Sequence, residues 1–261
     1  MTERRNPAQV FGEVAGEFDR VRPAYPAALV DDVVNYGRPG LGGLRALDVG
    51  AGTGRATEAF AAKGLPVVAV EPDDAMADVL ARRVARFADV QVVRATFEDF
   101  RPAERFGLLF SGEAWHWTVP ETRWSLAADA LEGGATLALF WNNERIAEAA
   151  LRAAMLRVFA RHAPSVVISD EPVTAEQVWR QWPGDELAGH AAFESCASRH
   201  YQCQRSVPTA DFLGLAQTRS QFRMLPPSTR RDLLEGLTQL FGDEVPLAIV
   251  TTLLLARRRQ R

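Results

Sequence analysis

The 261-residue chain is short of several things, and each shortage removes a class of function. It has two cysteines, Cys196 and Cys203, both in one predicted strand and without Cys-x-x-Cys spacing. Disulfide frameworks, thiol redox pairs and metal sites are therefore not expected, and buried free thiols are. Lysine is almost missing: Lys63 is the only one, so any anion would be held by arginine forks. A net charge of −3 leaves no electrostatic footprint for nucleic acid. No apolar run reaches the length of a membrane span, and the stretch Met1 to Pro7 has no apolar targeting core, so a soluble, cytoplasmic protein without a membrane partner is expected. Repeats and low-complexity segments are also missing. Hydrophobic residues are not in short supply: at 47% they suffice for a sizeable buried core.

What is present centres on Ala46-Leu47-Asp48-Val49-Gly50-Ala51-Gly52-Thr53-Gly54. A short apolar run ends in an acid, and three glycines then alternate with small residues before an amphipathic stretch, Arg55 to Lys63. The order strand, glycine turn, helix brings backbone N–H groups towards a ligand with no Cβ in the way. A second apolar run, Pro66 to Val70, ends in Glu71, about twenty residues beyond the first glycine, the place and distance at which an acid pairs ribose hydroxyls. The glycine pattern is Gly-x-Gly-x-Gly, not the Gly-x-Gly-x-x-Gly of dinucleotide sites. A pyrophosphate needs the longer turn and is repelled by Asp48, whereas the ammonium group of an amino-acid-bearing nucleoside wants such an acceptor.

The Asp-x-Gly-x-Gly-x-Gly form resembles the first motif of the class I S-adenosylmethionine-dependent methyltransferases. That resemblance implies S-adenosylmethionine as cofactor, held by Asp48, Gly50, Gly52, Gly54 and Glu71. It also implies an α/β, Rossmann-like fold: a seven-stranded, mostly parallel sheet with helices on both faces. Periodicity alone supports alternating α/β as far as residue 141 and a mixed remainder. The whole chain reads as one methyltransferase domain, with an N-terminal helical lid over residues 1–40 and a helical cap inserted at 142–190.

Residues 8–37 read as two helical pieces broken by Pro23 and Pro26. Their junction, Phe18-Asp19-Arg20-Val21-Arg22-Pro23-Ala24-Tyr25-Pro26, is similar to a segment that covers the cofactor in small-molecule methyltransferases. By that likeness Phe18 and Arg22 contact the cofactor and Tyr25 the acceptor; a plain packed lid is the alternative. Asp73 reads as a helix N-cap. The resemblance sets Met76, Thr96 and Phe97 against the adenine. After the fourth strand, Phe106 to Ser111, comes Gly112-Glu113-Ala114-Trp115-His116-Trp117. An Ala-Trp-His-Trp segment occurs in a group that includes trans-aconitate methyltransferase-like proteins, within the type 11 methyltransferases. Ser111 is then expected at the cofactor, Trp115 and Trp117 at the acceptor, and His116 as base or substrate donor; a packed aromatic turn is the alternative. Segments Phe193 to Arg205 and Pro246 to Ala256 read as strands, with helices over roughly 208–217 and 226–241 between them.

Methyl transfer to a small-molecule acceptor is the function these features imply. A non-catalytic S-adenosylmethionine-binding protein and a nicotinamide-dependent oxidoreductase stay open as alternatives. A nucleic-acid substrate is disfavoured, for want of a basic face and of an Asn-Pro-Pro-aromatic segment. The sequence leaves the acceptor and the oligomeric state undetermined.

Overall fold

The computed structural model describes residues 15–168, 171 and 173–260. Residues 8–14 of the expected first helix lie outside them. The strands are β1 (Ala46–Val49), β2 (Val67–Val70), β3 (Val90–Val93), β4 (Phe106–Gly112), β5 (Leu131–Ile146), β6 (Phe193–Pro208) and β7 (Glu244–Arg258). They form a seven-stranded sheet in the order β3-β2-β1-β4-β5-β7-β6. The pairs β1–β2, β2–β3, β1–β4 and β4–β5 are parallel. All four residues of β1 and of β2 are buried, which explains why both read as unbroken apolar runs: a parallel strand covered on both faces has no polar side to alternate.

Alternation along β4 and β5 divides the core into two. Leu109, Leu137 and Leu139 join a cluster with Trp124 and Ala127 of α5 (Arg123–Ala130) and with Leu187 of α7 (Gly184–Gly189). Leu108, Phe110, Ala138 and Phe140 join one with Leu29 and Val33 of α2 (Ala27–Leu41) and with Phe60 of α3 (Arg55–Ala61). Each face of the sheet therefore carries its own helices. In α4 (Asp74–Val84) the cap expected at Asp73 forms: its Oδ1 accepts from the Met76 N–H at 3.0 Å.

The described residues divide into two compact units. One comprises 24–142, 173–201 and 251–260; the other holds those within 1–23, 143–172 and 202–250. The residues expected as one cap insertion, 142–190, thus fall into both. β5 runs on to Ile146, and α6 (Ala149–His162) then packs with α10 (Pro227–Leu240) through Met155, Leu233 and Leu237. The second unit also holds α1 (Ala15–Val21) and α8 (Thr209–Gln217), with the short α9 (Ser220–Arg223). The cysteines are a correction. Both are free, as expected, but exposed, because β6 is the sheet's edge strand and most of its residues face solvent. Among the described residues no helix is long and apolar enough to cross a membrane, and no group of three metal-ligating side chains occurs.

Candidate cofactor and acceptor site

The order β3-β2-β1-β4-β5 reverses direction between β1 and β4, and a parallel sheet opens a crevice beyond its strand ends at such a point. The loop after β1 and the turn after β4 flank that crevice. Gly50, Gly52 and Gly54 all have positive φ, at 69°, 57° and 86°. Only glycine holds all three without strain, yet the three differ in what surrounds them. A Cβ on Gly50 would lie 2.4 Å from Ala114 Cβ, and one on Gly54 would lie 2.4 Å from Leu80 Cδ1. Those two are bare so that the turn after β4 and helix α4 can approach. A Cβ on Gly52 would meet nothing within 4 Å. Its missing side chain faces open space.

Two carboxylates hold this loop. Glu71 accepts from the Gly52 N–H at 2.8 Å and from the Asp73 N–H at 2.9 Å. Burial pushes the Glu71 carboxyl above its ordinary range, and those two backbone donors oppose the shift. Asp48 is fully buried; its Oδ2 accepts from the Thr57 hydroxyl at 2.6 Å, while its Oδ1 has no partner. Burial raises its pKa to about 7, Thr57 pulls it down, and nearby Glu71 raises it further. From the far side of the loop, Arg83 Nε donates to the Thr53 carbonyl at 3.0 Å.

The turn after β4 is built differently. Glu113 has φ 61°, a strained value for a residue with a side chain, and its N–H donates to the Phe140 carbonyl at 2.9 Å. Its carboxylate accepts from the Asn142 N–H, and Asn142 Oδ1 accepts from the Thr251 hydroxyl. The pinned corner starts a 3₁₀ turn over Trp115–Trp117. Its three rings part company. Trp115 is completely buried, 5.9 Å from Phe97 and 5.2 Å from Trp124, whereas His116 and Trp117 are exposed.

The predicted site residues sort accordingly. Asp48, Gly50, Gly52, Gly54 and Glu71 come together in the loop. Tyr25 meets Phe140 edge-on at 4.6 Å, with its hydroxyl beside Gly112 at the end of β4. Met76 and Phe97 are nearly closed off, and the Thr96 hydroxyl is engaged with Asp99, donating to its carboxylate and accepting from its N–H. One expectation is corrected: Trp115 is a core residue and not an acceptor contact, since a turn of three residues cannot point every ring outward. The Ser111 side chain is fully buried, and its hydroxyl donates to the Val49 carbonyl at 2.8 Å between two strands. Phe18 and Arg22 belong to the other unit, where the Arg22 guanidinium sits 4.8 Å over the Phe18 ring.

Sequence reasoning missed Trp182, Trp141 and Arg123. The Trp182 ring stands edge-on to His116 at 6.5 Å and to Trp141 at 6.2 Å. Arg123, 5% exposed, places its guanidinium 5.3 Å from the Trp182 ring centre. Its Nε is buried without a partner, and no carboxylate pairs with it among the described residues. The available signal was Trp182 itself, an aromatic in a polar run that fits no helical or strand period.

Residues 46–132 match the family model described as a methyltransferase domain. That match, spanning a third of the chain, supports a class I, S-adenosylmethionine-dependent methyltransferase. An uncharacterized methyltransferase of Mycobacterium tuberculosis is 34% identical over 139 residues, which are 53% of this chain and 54% of that protein. A probable S-adenosylmethionine-dependent methyltransferase of Saccharomyces cerevisiae is 29% identical over 133 residues, 49% of this chain and 44% of its own. The chain thus spans about half the length of the curated relatives it matches. Among solved structures, a protein provisionally assigned as a type II methyltransferase, from Anaeromyxobacter dehalogenans, aligns over 92% of this chain and 99% of its own, with a TM-score of 0.60 and 22% identity. That likeness concerns the fold.

The loop after β1 fits the cofactor on its own evidence. Gly52 faces open space, and a carboxylate has about four acceptor positions, so Glu71 keeps capacity for ribose hydroxyls beyond the two backbone donors it serves. The orphaned Asp48 Oδ1 is an acceptor that an ammonium group would satisfy.

Proposed function

We propose that this protein is an enzyme that transfers a methyl group from S-adenosylmethionine to a small-molecule acceptor. The observation that carries the reading is the Gly52–Glu71 lock at the sheet's reversal point, with an unclaimed Asp48 oxygen beneath it. In this reading Asp48, Glu71 and the three glycines hold the cofactor, with Met76, Thr96 and Phe97 bordering its adenine. The bound cofactor supplies a methyl group already activated on a sulfonium. The chain's own task is then to bring the acceptor into line, to exclude water and to manage a proton.

Exposed His116 and Trp117, with Trp141, Trp182 and Tyr25, make plates for an acceptor with a flat or apolar body. His116 takes the proton from a phenol, amine or enolisable carbon, or positions a carboxylate that needs no base. For a carboxylate, Arg123 supplies the positive charge. The exposed imidazole favours catalysis over mere cofactor binding, and the glycine spacing disfavours a nicotinamide.

Calorimetric titration with S-adenosylmethionine, its demethylated product and NADH tests the reading. Saturable binding of the first two and not of NADH is expected, followed by turnover of an aromatic or carboxylic acceptor that His116→Ala loses. Binding of NADH alone would overturn it.

A further inference from the structure

The unit that contains α6, α8 and α10 holds a cavity of about 70 Å³, none of whose lining residues belongs to the loop after β1 or the turn after β4. Most of its wall is hydrocarbon, such as Ile146, Met155 and Leu237, and Arg145, Arg219 and Gln221 add polar groups. One acid lines it. Glu144 is 8% exposed; its Oε2 accepts from Arg219 at 2.9 Å, and its Oε1 is buried with no hydrogen-bond partner. Val167, also in the lining, is 71% exposed, so the cavity reaches the surface along an apolar lip.

A buried carboxylate oxygen without a partner forfeits a charge-assisted hydrogen bond, and a native fold seldom leaves one unmade without a use. A water placed there would satisfy Glu144 but leave the apolar part of the wall uncovered, which an alkyl chain covers. The charge is already matched by Arg219, so the need is for a hydrogen-bond donor and not for a second cation. An ammonium would also lose more hydration on entering apolar walls than a hydroxyl does. We infer that this cavity is a binding site for the hydroxyl end of a small aliphatic alcohol, which donates to Glu144 Oε1 and lays its chain along the wall towards Val167. The inference does not depend on the methyltransferase reading, because no residue is shared with the loop after β1.

The test uses the whole chain, following the methyl NMR signals of Ile146, Met155 and Ile168 while adding 1-pentanol, 1-methoxybutane, pentylammonium or pentanoate. Pentanol should bind at least about tenfold more tightly than the ether, which has the same heavy-atom count but no donor, with pentylammonium weaker than pentanol and pentanoate excluded. In Glu144→Leu the preference for pentanol over the ether should fall to near unity. Arg219 is partly exposed and can be solvated there, so this variant should fold. Should it fail to, the wild-type ranking decides alone. Equal binding of pentanol and ether, tighter binding of pentylammonium, or no shift of these methyl signals at millimolar probe would overturn the inference.

Discussion

The loop after β1 and the turn after β4 flank the same crevice and solve opposite problems. In the loop, Gly50 and Gly54 give up their side chains to admit Ala114 and Leu80, and Gly52 gives up its own to leave space. The turn does the reverse, crowding three large rings onto a strained corner at Glu113 and burying one of them to expose the other two. In the proposed reading, a site for a fixed cofactor is made by backbone and a site that selects an acceptor by side chains. Substitutions in the two places should therefore fail in different ways.

The largest loss of stability is expected from Gly50→Ala. A Cβ 2.4 Å from that of Ala114, on a backbone with φ 69°, should cost roughly 2–4 kcal/mol in urea unfolding, and cofactor affinity should fall with it. Next comes a pH effect of a few kcal/mol. The buried Asp48 carboxyl holds its proton up to about pH 7, against an ordinary pKa of 3.8. Between these values the folded chain binds more protons than the unfolded one, so this contribution is full below pH 4 and is lost as pH rises towards 7. Unfolding free energies measured from pH 4 to 8 should fall over that window, and Asp48→Asn should flatten most of the slope, leaving the smaller one that Glu71 adds in the same direction.

Gly52→Ala sharpens the comparison. Its Cβ meets nothing, so only the φ of 57° is strained and stability should drop by about 1 kcal/mol. Calorimetry should nonetheless show S-adenosylmethionine affinity reduced at least about tenfold, the converse of a packing glycine. His116→Ala should change stability by less than about 0.5 kcal/mol, since the ring is exposed. With an acceptor that must lose a proton, kcat should drop roughly a hundredfold while cofactor affinity holds. Full turnover in that variant would move the turn after β4 from chemistry to packing.

Local rules made much of the domain legible. Two fully buried strands, three glycines, a capping Asp73 and an acid about twenty residues past the first glycine are features of neighbouring residues, and each formed where expected. The strands β6 and β7 were legible too, though both run longer than their apolar alternation. The orientations of Ser111, Trp115 and the cysteines were not. Whether a side chain at a strand end faces a crevice, a neighbouring strand or solvent depends on elements remote in the chain: Val49 for Ser111, Phe97 and Trp124 for Trp115, the sheet edge for Cys196 and Cys203.

By itself, the sequence determined the strand–glycine–helix loop and its acidic partner, because backbone conformation at glycine and burial on both faces of a parallel strand are properties of short stretches. Only the tertiary structure decided which rings of the turn after β4 are buried and which exposed, that Trp182 stands near both Arg123 and His116, and that Glu144 lines a cavity with one oxygen unpaired. Those depend on contacts across long separations in the chain, and no period along the sequence encodes them.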